Sequence, residues 1–396
     1  MRIFTKLAAL CAVAGLLAAC SGSGGSSFLG TTPQTNGAGH ATLTAAQKGL
    51  WPRPGPAVRV CGKPAAGFAA CASWIRTDIS NAATPSGYGP SDLQTAYGLT
   101  TASGSNGSGV TVAIVDAYDD PNAQSDLNVY RSTYGLPACG SGCFTKVKYG
   151  KRTNTGWAEE ESLDVDMVSA ICPKCNILLV EAASNSTANL TTAEQYALAH
   201  ANYVSNSWSG NEGSTSSDSS YSRSGAVVTA ATGDSGYNTT AQWPAIIPAV
   251  VGVGGTTLSS TNPRVETAWS GAGSGCSKVY AKPSYQSGIN TGCSMRAQAD
   301  VSAEGDPNTG VAVYDTFHES GWLVFGGTSV ATPIIASVYA LSGNTDSQST
   351  LYANIDKGLY DPSSGSNGSC GAPLCTSGTG WDGPTGAGSP SGLTAF

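Results

Sequence analysis

The sequence predicts an α/β fold built on a mostly parallel sheet flanked by helices, and three observations carry that expectation. Apolar, β-branched runs recur along the chain, each closed by glycine or another turn residue. Between them lie stretches whose apolar residues return every three or four positions, as on one face of a helix. The two kinds of segment alternate, which is the pattern of strand–helix–strand units.

Taken in order, residues 21–50 are low-complexity and 51–85 are rich in proline and glycine, so the ordered body is expected to open near Gly87. There GYGPSDLQTAYGL has a helix-start signature, with Pro90 followed by Leu93 and Tyr97 four apart. GVTVAIVDAYDDP is a buried strand ending in a turn. The stretch 158–171 is a helix, NILLVEA a strand, and 191–203 a second helix. GAVVTAAT and AVVGVGGTTL are further strands, and GWLVFG feeds a helix at 329–342. GVGGT and GSGCS are rich in glycine but lack the following helix and ribose-binding acid of a dinucleotide site.

Only 11% of the 396 residues are charged, and the net charge is −7 with no basic cluster, which argues against a nucleic-acid partner. With 19 Lys and Arg, the chain cannot accumulate a large positive charge when its carboxylates protonate, a composition that suits acid. The start MRIFTKLAALCAVAGLLAACSGSGG is an export signal over residues 1–20. Leu17-Ala18-Ala19-Cys20 resembles a bacterial lipobox, so Cys20 is expected to carry a lipid anchor, with ordinary cleavage as the alternative. Ten further cysteines fall into close pairs: Cys61 with Cys71, Cys139 with Cys143, Cys172 with Cys175, Cys276 with Cys293 and Cys370 with Cys375. Five local disulfides are the economical reading in an exported chain. A redox or zinc role for Cys172-Pro-Lys-Cys175 is disfavoured by export and by the lack of a second ligand pair.

FGGTSVATPIIAS, residues 325–337, raises the question of chemistry. Two glycines allow close approach, and Pro333 suits a helix's first turn, so Ser329 would sit at a helix N-terminus, as nucleophile or as cap. A nucleophilic serine needs a base, and His40, His200 and His318 all lie at unpromising places. WAEEESLDVDMVSAI, residues 157–171, offers carboxylates instead. At about 100° per residue, Glu160 and Asp164 are about 40° apart and share the face of Leu163, Met167 and Ile171. Glu159, Glu161 and Asp166 fall to the flanks or the opposite side, where solvated charges are expected. Two acids on a buried face raise one another's pKa, and can serve as a base for serine or as a structural pair bound to backbone N–H groups. In GAVVTAATGDSGYN, Asp234 follows a strand's C-terminal end; protonated, it would donate to an oxyanion, and otherwise it is a turn aspartate.

With these residues in hand the chain resembles the sedolisins, serine-carboxyl peptidases with a subtilisin-like fold. The resemblance runs from about Gly87 to the C-terminus. It rests on Glu160-Glu161-Ser162-Leu163-Asp164, on Gly233-Asp234-Ser235-Gly236, on WPAIIPAVVGVGGTTL and on the segment around Ser329. It implies a three-layer subtilisin-like domain over residues 86–396, with Ser329 as nucleophile, Glu160 as base and acid, Asp164 as its orienting partner and Asp234 in the oxyanion hole. It also implies one structural calcium ion near the C-terminus, held by Asp361, Asp382 and the carbonyls of Pro362, Gly378 and Gly380. Two departures stand out. Family members have a long prodomain, whereas here residues 21–85 form a low-complexity linker in which either residues 51–85 act as a reduced inhibitor strand, a short pro-segment, or maturation proceeds without one. Ala299 also replaces a common proline. Asp116, which resembles the aspartate of a subtilisin triad, is expected to be structural.

The expected function is therefore an exported, monomeric endopeptidase of proteins and peptides, active in acid. The alternatives are a neutral subtilisin-type protease using His200 or His318, and an inactive surface lipoprotein that uses the fold for binding.

Overall fold

The computed structural model describes residues 55–79, 82–140, 142–213, 215–355 and 357–396. Cys20 and His40 lie outside them. Three short strands come first: β1 (Ala57–Arg59), β2 (Ala70–Cys71) and β3 (Trp74–Arg76). Helices α1 (Pro90–Ala96) and α2 (Thr100–Ser105) lead into β4 (Thr111–Ala117), then α3 (Ala123–Thr133), β5 (Phe144–Lys148), α4 (Thr155–Ile171) and β6 (Asn176–Ala182). There follow α5 (Thr187–His200), β7 (Tyr203–Asn206), β8 (Trp208–Asn211), β9 (Val227–Ala231), β10 (Gln242–Trp243), β11 (Val251–Thr261) and β12 (Arg264–Ala268).

The main sheet runs β12-β11-β9-β7-β4-β6-β5, parallel except for β12, which pairs antiparallel with β11. The strand order turns at β4, which has β6 on one side and β7 on the other. Sites in open α/β sheets gather at such a point, outside the strands' carboxyl ends. Alternation along each strand divides the core. Val112 and Ile114 of β4, with Ile177 and Leu179 of β6, pack against Leu163 and Val168 of α4. Ala113, Val115, Leu178 and Val180 face Leu190, Ala193 and Ala197 of α5 on the other side. The result is the three-layer, subtilisin-like arrangement expected.

The chain continues through the antiparallel pair β13 (Gly275–Ala281) and β14 (Met295–Gln298), then β15 (Val301–Glu304), parallel to β11, and the hairpin β16 (Val311–Asp315) and β17 (Gly321–Gly326). Helices α6 (Thr328–Ser342) and α7 (Ser347–Ala353) follow. Helix α6 packs beside α4 on the same face of the sheet, with Val330 and Ile334 in the shared core. All five close cysteine pairs are joined as disulfides.

Three expectations change. The ordered body does not begin near Gly87: residues 55–79 belong to it, with β1 and β3 extending the β16–β17 hairpin into a four-stranded sheet and β2 pairing with β8. The helix expected at 191–203 ends at His200, and Tyr203 already belongs to β7. Finally, Glu159, Glu161 and Asp166 are buried rather than solvated. Helix α4 has no free side, because α1, α3, α6, β4 and β16 surround it.

Candidate active site

Helix α6 begins at Gly327 as N-cap, so Ser329 is its second residue and completely buried. Backbone N–H groups in this first turn have no partner within the helix and are available to an oxygen outside it. Pro333 lies inside the helix rather than in its first turn. It has no N–H to offer the carbonyl four residues back, that of Ser329, and Ser207 Oγ donates to that carbonyl instead, at 3.4 Å. Ser329 Oγ donates to the Ser207 carbonyl at 2.8 Å and accepts from the Ala72 N–H at 3.1 Å. Ser329 N–H donates to the Ala72 carbonyl at 2.9 Å.

Helix α4 is fixed at its start by Asn154, whose side chain accepts from the Trp157 N–H at 3.1 Å. One turn further on, Glu160 lies against the serine. Its Oε2 accepts from Ser73 Oγ, and its Oε1 has no hydrogen-bond partner among the described residues. Burial first, then the nearby Asp116, push the Glu160 carboxyl well above its ordinary range, against the opposing effect of the Ser329 and Ser73 hydroxyls. Asp164 is raised in the same way by burial, Asp116 and Glu160, and the Ser207 hydroxyl favours its charged form. These acids share protons as a group.

Asp116 is the member of this group that sequence reasoning set aside. It is the last residue but one of β4, is fully buried, and is pushed up to about 8 by burial and by Glu181. Its place at the carboxyl end of a strand was the available signal; the lack of a histidine partner diverted attention from it. Ser207, just beyond β7, and Ser73, just before β3, carried no motif and went unnoticed.

Asp234, beyond the end of β9, reaches Thr328, the residue before Ser329. Its Oδ1 accepts from the Thr328 N–H and Thr328 Oγ, both at 2.8 Å, while Oδ2 is buried with no hydrogen-bond partner among the described residues. Burial raises this carboxyl to about 7 against the two Thr328 bonds, so it holds a proton in acid. With Oδ1 doubly occupied as acceptor, Oδ2 is the oxygen left to carry that proton and donate. Gly327 makes this approach feasible: its φ is +113°, and a Cβ there would come within 2.9 Å of Asp234 Oδ2 and 2.2 Å of the Ala72 carbonyl oxygen.

The structure thus brings together Ser329, Glu160, Asp164 and Asp234. It gives the described histidines other surroundings: His200 is exposed and stacked on Tyr196, and His318 is exposed beside the Phe317 ring. The residues expected to hold calcium form a separate loop. Gly380 N–H donates to Asp361 Oδ2 at 2.8 Å and Gly378 N–H to Asp382 Oδ2 at 3.3 Å, which gathers both acids around one turn. Asp382 is buried, and none of the ion pairs formed among the described residues involves it. Two carboxylates and backbone carbonyls fit a hard divalent cation.

Known proteins resemble this chain in sequence and in fold. Residues 137–353, more than half of the chain, match the subtilase family. Kumamolisin from Bacillus sp. (strain MN-32) is 29% identical over 364 residues, covering 79% of this chain and 64% of its own length. Sedolisin from Pseudomonas sp. (strain 101) is 35% identical over 170 residues, 37% of this chain and 28% of that protein. The chain therefore spans less than two thirds of either curated relative. Among solved structures, Pseudomonas sedolisin, a serine-carboxyl proteinase complexed with two molecules of pseudo-iodotyrostatin, superposes with a TM-score of 0.65 at 24% identity, covering 78% of this chain and 96% of that one. A lanthipeptide protease superposes with a TM-score of 0.51 at 15% identity, covering 80% and 98%.

Proposed function

Because the chain belongs to the subtilase family, and within it to the sedolisins, we propose that it is a serine-carboxyl endopeptidase acting on proteins and peptides in acid. In this reading Glu160 takes the Ser329 hydroxyl proton as Oγ attacks a substrate carbonyl. The carbonyl oxygen, becoming negative, is met by the Ser329 N–H and by protonated Asp234 Oδ2. Glu160 then passes its proton to the departing amine, and water enters to hydrolyse the ester by the same steps in reverse. Asp164 and Asp116 hold the buried negative charge and proton inventory of Glu160.

The observation that carries this reading is the pair of aspartate oxygens at Asp234: one is doubly hydrogen-bonded, and the other is buried, without a hydrogen-bond partner among the described residues, and turned towards Gly327 beside the serine. The same group sets the pH range. At about 7 its proton is lost, and with it the donor, so activity should decline as pH rises through neutrality. An acylating active-site probe applied to enzyme first incubated at pH 4 tests the assignment. Labelling should fall on Ser329 and drop strongly in Glu160→Gln; label elsewhere, or undiminished labelling in that variant, contradicts it.

Calcium belongs to the same proposal. Asp361, Asp382 and the carbonyls of Pro362, Gly378 and Gly380 would hold it, and the ion would supply positive charge that pins the C-terminal loop. Five disulfides accord with an oxidising compartment, so we place the enzyme outside the cytoplasm, tethered through a lipid on Cys20. An unlipidated Cys20 peptide in the exported protein's mass spectrum would remove the tether.

A further inference from the structure

Beside the acids given a role above lie two buried ones without any, Glu161 and Glu181. Asp116 of β4 is level with Glu181 of β6, and Glu181 with Lys148 of β5, in one rung at the strands' carboxyl ends. Two residues on from Ile114 and Leu179, Asp116 and Glu181 point to the face of the sheet that α4 covers. There they meet Glu161, the residue after the general base. Asp116, Glu161 and Glu181 are all fully buried, and no N–H or hydroxyl donor among the described residues reaches either oxygen of Asp116 or of Glu161.

Glu181 is provided for differently. Its Oε1 accepts from the Asp120 N–H at 3.1 Å and lies 3.0 Å from Lys146 Nζ. Its carboxyl also meets that of Glu161, a contact that is a hydrogen bond only when one of the two holds a proton. With Lys146 on Glu181 and no donor on Glu161, the proton belongs to Glu161 and the charge to Glu181. The charges around Lys146 balance in the same way. Its Nζ also donates to Asp119 Oδ1 at 2.8 Å and to the Asp120 carbonyl at 2.6 Å, and Lys148 Nζ donates to Asp119 Oδ2 at 2.6 Å. Against burial, the two ammonium groups hold the Asp119 carboxyl below its usual range, whereas burial raises Asp120 to about 7. In acid, Asp120 is therefore neutral, Lys148 serves Asp119, and the charge of Lys146 is left for Glu181. Burial pushes Glu181 up, but Glu161, Lys146 and the Asp120 N–H all oppose it. Glu181 is thus the first acid of this group to ionise.

We infer that Glu181, held by Lys146, is a positioning residue for the general base: its charge keeps Asp116 neutral, so that the negative charge of the catalytic carboxyls falls on Glu160. This rests on the reading of Glu160 as the base. Glu160, Glu161 and Asp164 of α4 and Glu181 of β6 are the titratable groups facing Asp116; Asp116, Asp120, Lys146 and Glu161 are those facing Glu181. Glu181 acts on Asp116 across one rung, and Asp116, after burial, is what most raises Glu160 and Asp164. A neutral Asp116 removes that repulsion and can donate to a neighbouring carboxylate. Without the charge on Glu181, Asp116 competes to ionise, the proton stays on Glu160, and Ser329 loses its base.

The test is steady-state kinetics on a peptide substrate from pH 3 to 8, with the active enzyme, Lys146→Met, Lys146→Arg, Glu181→Gln, Asp116→Asn and the double variant Lys146→Met/Asp116→Asn, each first shown to unfold cooperatively. Lys146→Met and Glu181→Gln should each lower kcat at pH 4 about tenfold with KM unchanged, the effect of moving the ionisation of a base by about one pH unit. Lys146→Arg keeps the charge and should lose less. In Asp116→Asn the amide cannot take the charge, so adding Lys146→Met should cost about twofold or less, the scatter of independent substitutions. Wild-type kcat at pH 4 in Lys146→Met or Glu181→Gln, or a loss confined to KM, overturns the inference and leaves the peptidase reading standing. An equal tenfold loss in the Asp116→Asn background gives Lys146 a merely structural role and overturns it as well. Full activity in Glu160→Gln overturns the base reading beneath it.

Discussion

Asp234 shows how a single side chain can be set to a task by what it touches. A carboxylate cannot donate, but burial makes the protonated form the stable one up to about pH 7 against the two hydrogen bonds from Thr328, and Oδ2 has no hydrogen-bond partner among the described residues. Removing the donor with Asp234→Ala should lower kcat by about a hundred- to a thousandfold with little change in KM, the usual cost of losing one oxyanion donor. Asp234→Asn keeps an N–H and cannot titrate, so the decline in its remaining activity above pH 7 should weaken. Steady-state kinetics of both variants from pH 3 to 8 would show this; an unchanged alkaline limb in Asp234→Asn would assign that limb to another group. The acid itself was legible in the sequence from its place after a strand. Which of its oxygens is left to donate depends on Thr328, which is 94 residues away and carries no local signal.

The elements legible in the sequence are those with long, regular patterns. NILLVEA and GWLVFG are strands over the full length expected, and the shared face of Glu160 and Asp164 lies within one uninterrupted helix. Strands β1 to β3 were hidden because runs of two or three residues have no periodicity to detect, and their partners lie far along the chain. The contact between Ala72 and Ser329 spans 257 residues. The burial of Glu161 and Asp166 was hidden for a related reason: a helical wheel ranks the faces of a helix but does not reveal that neighbours cover all of them. At the same scale, the loop carrying Asp361 and Asp382 should respond to its ion. Chelation should lower Tm, by an amount equivalent to about 3 kcal/mol where free calcium had been a hundred times its Kd. Re-addition should restore it, and Asp382→Ala should be insensitive to both treatments. Equal sensitivity of that variant in scanning calorimetry would place any bound ion elsewhere.

For the whole molecule, the dominant electrostatic feature is a set of buried acids whose carboxyls burial pushes upward. Burial raises Asp116, Glu194 and Asp315 to about 8 and Asp234 to about 7, with Glu181 adding to the rise at Asp116. In the unfolded chain such groups ionise near about 4. Below that pH both states hold the proton and the stabilisation is fully present. As pH rises from about 4 to 8 the unfolded chain releases protons that the folded one retains, so stability falls, by about 1.4 kcal/mol for each unit of separation in a single group. The Tm should therefore be higher at pH 4 than at pH 8. A Tm equal or higher at pH 8 would mean that these acids ionise within the fold. Low charge content and five local disulfides accord with the acid range proposed for this chain.

The most direct test of the central claim, that buried carboxyls replace histidine in activating Ser329, is proteolysis of a denatured protein across pH 3 to 8 by the wild type, Ser329→Ala, Glu160→Gln and a His200→Ala/His318→Ala variant. The account requires acid activity that is lost in the first two substitutions and retained without the two histidines. Activity that survives Glu160→Gln, or that disappears with the histidines, would contradict it.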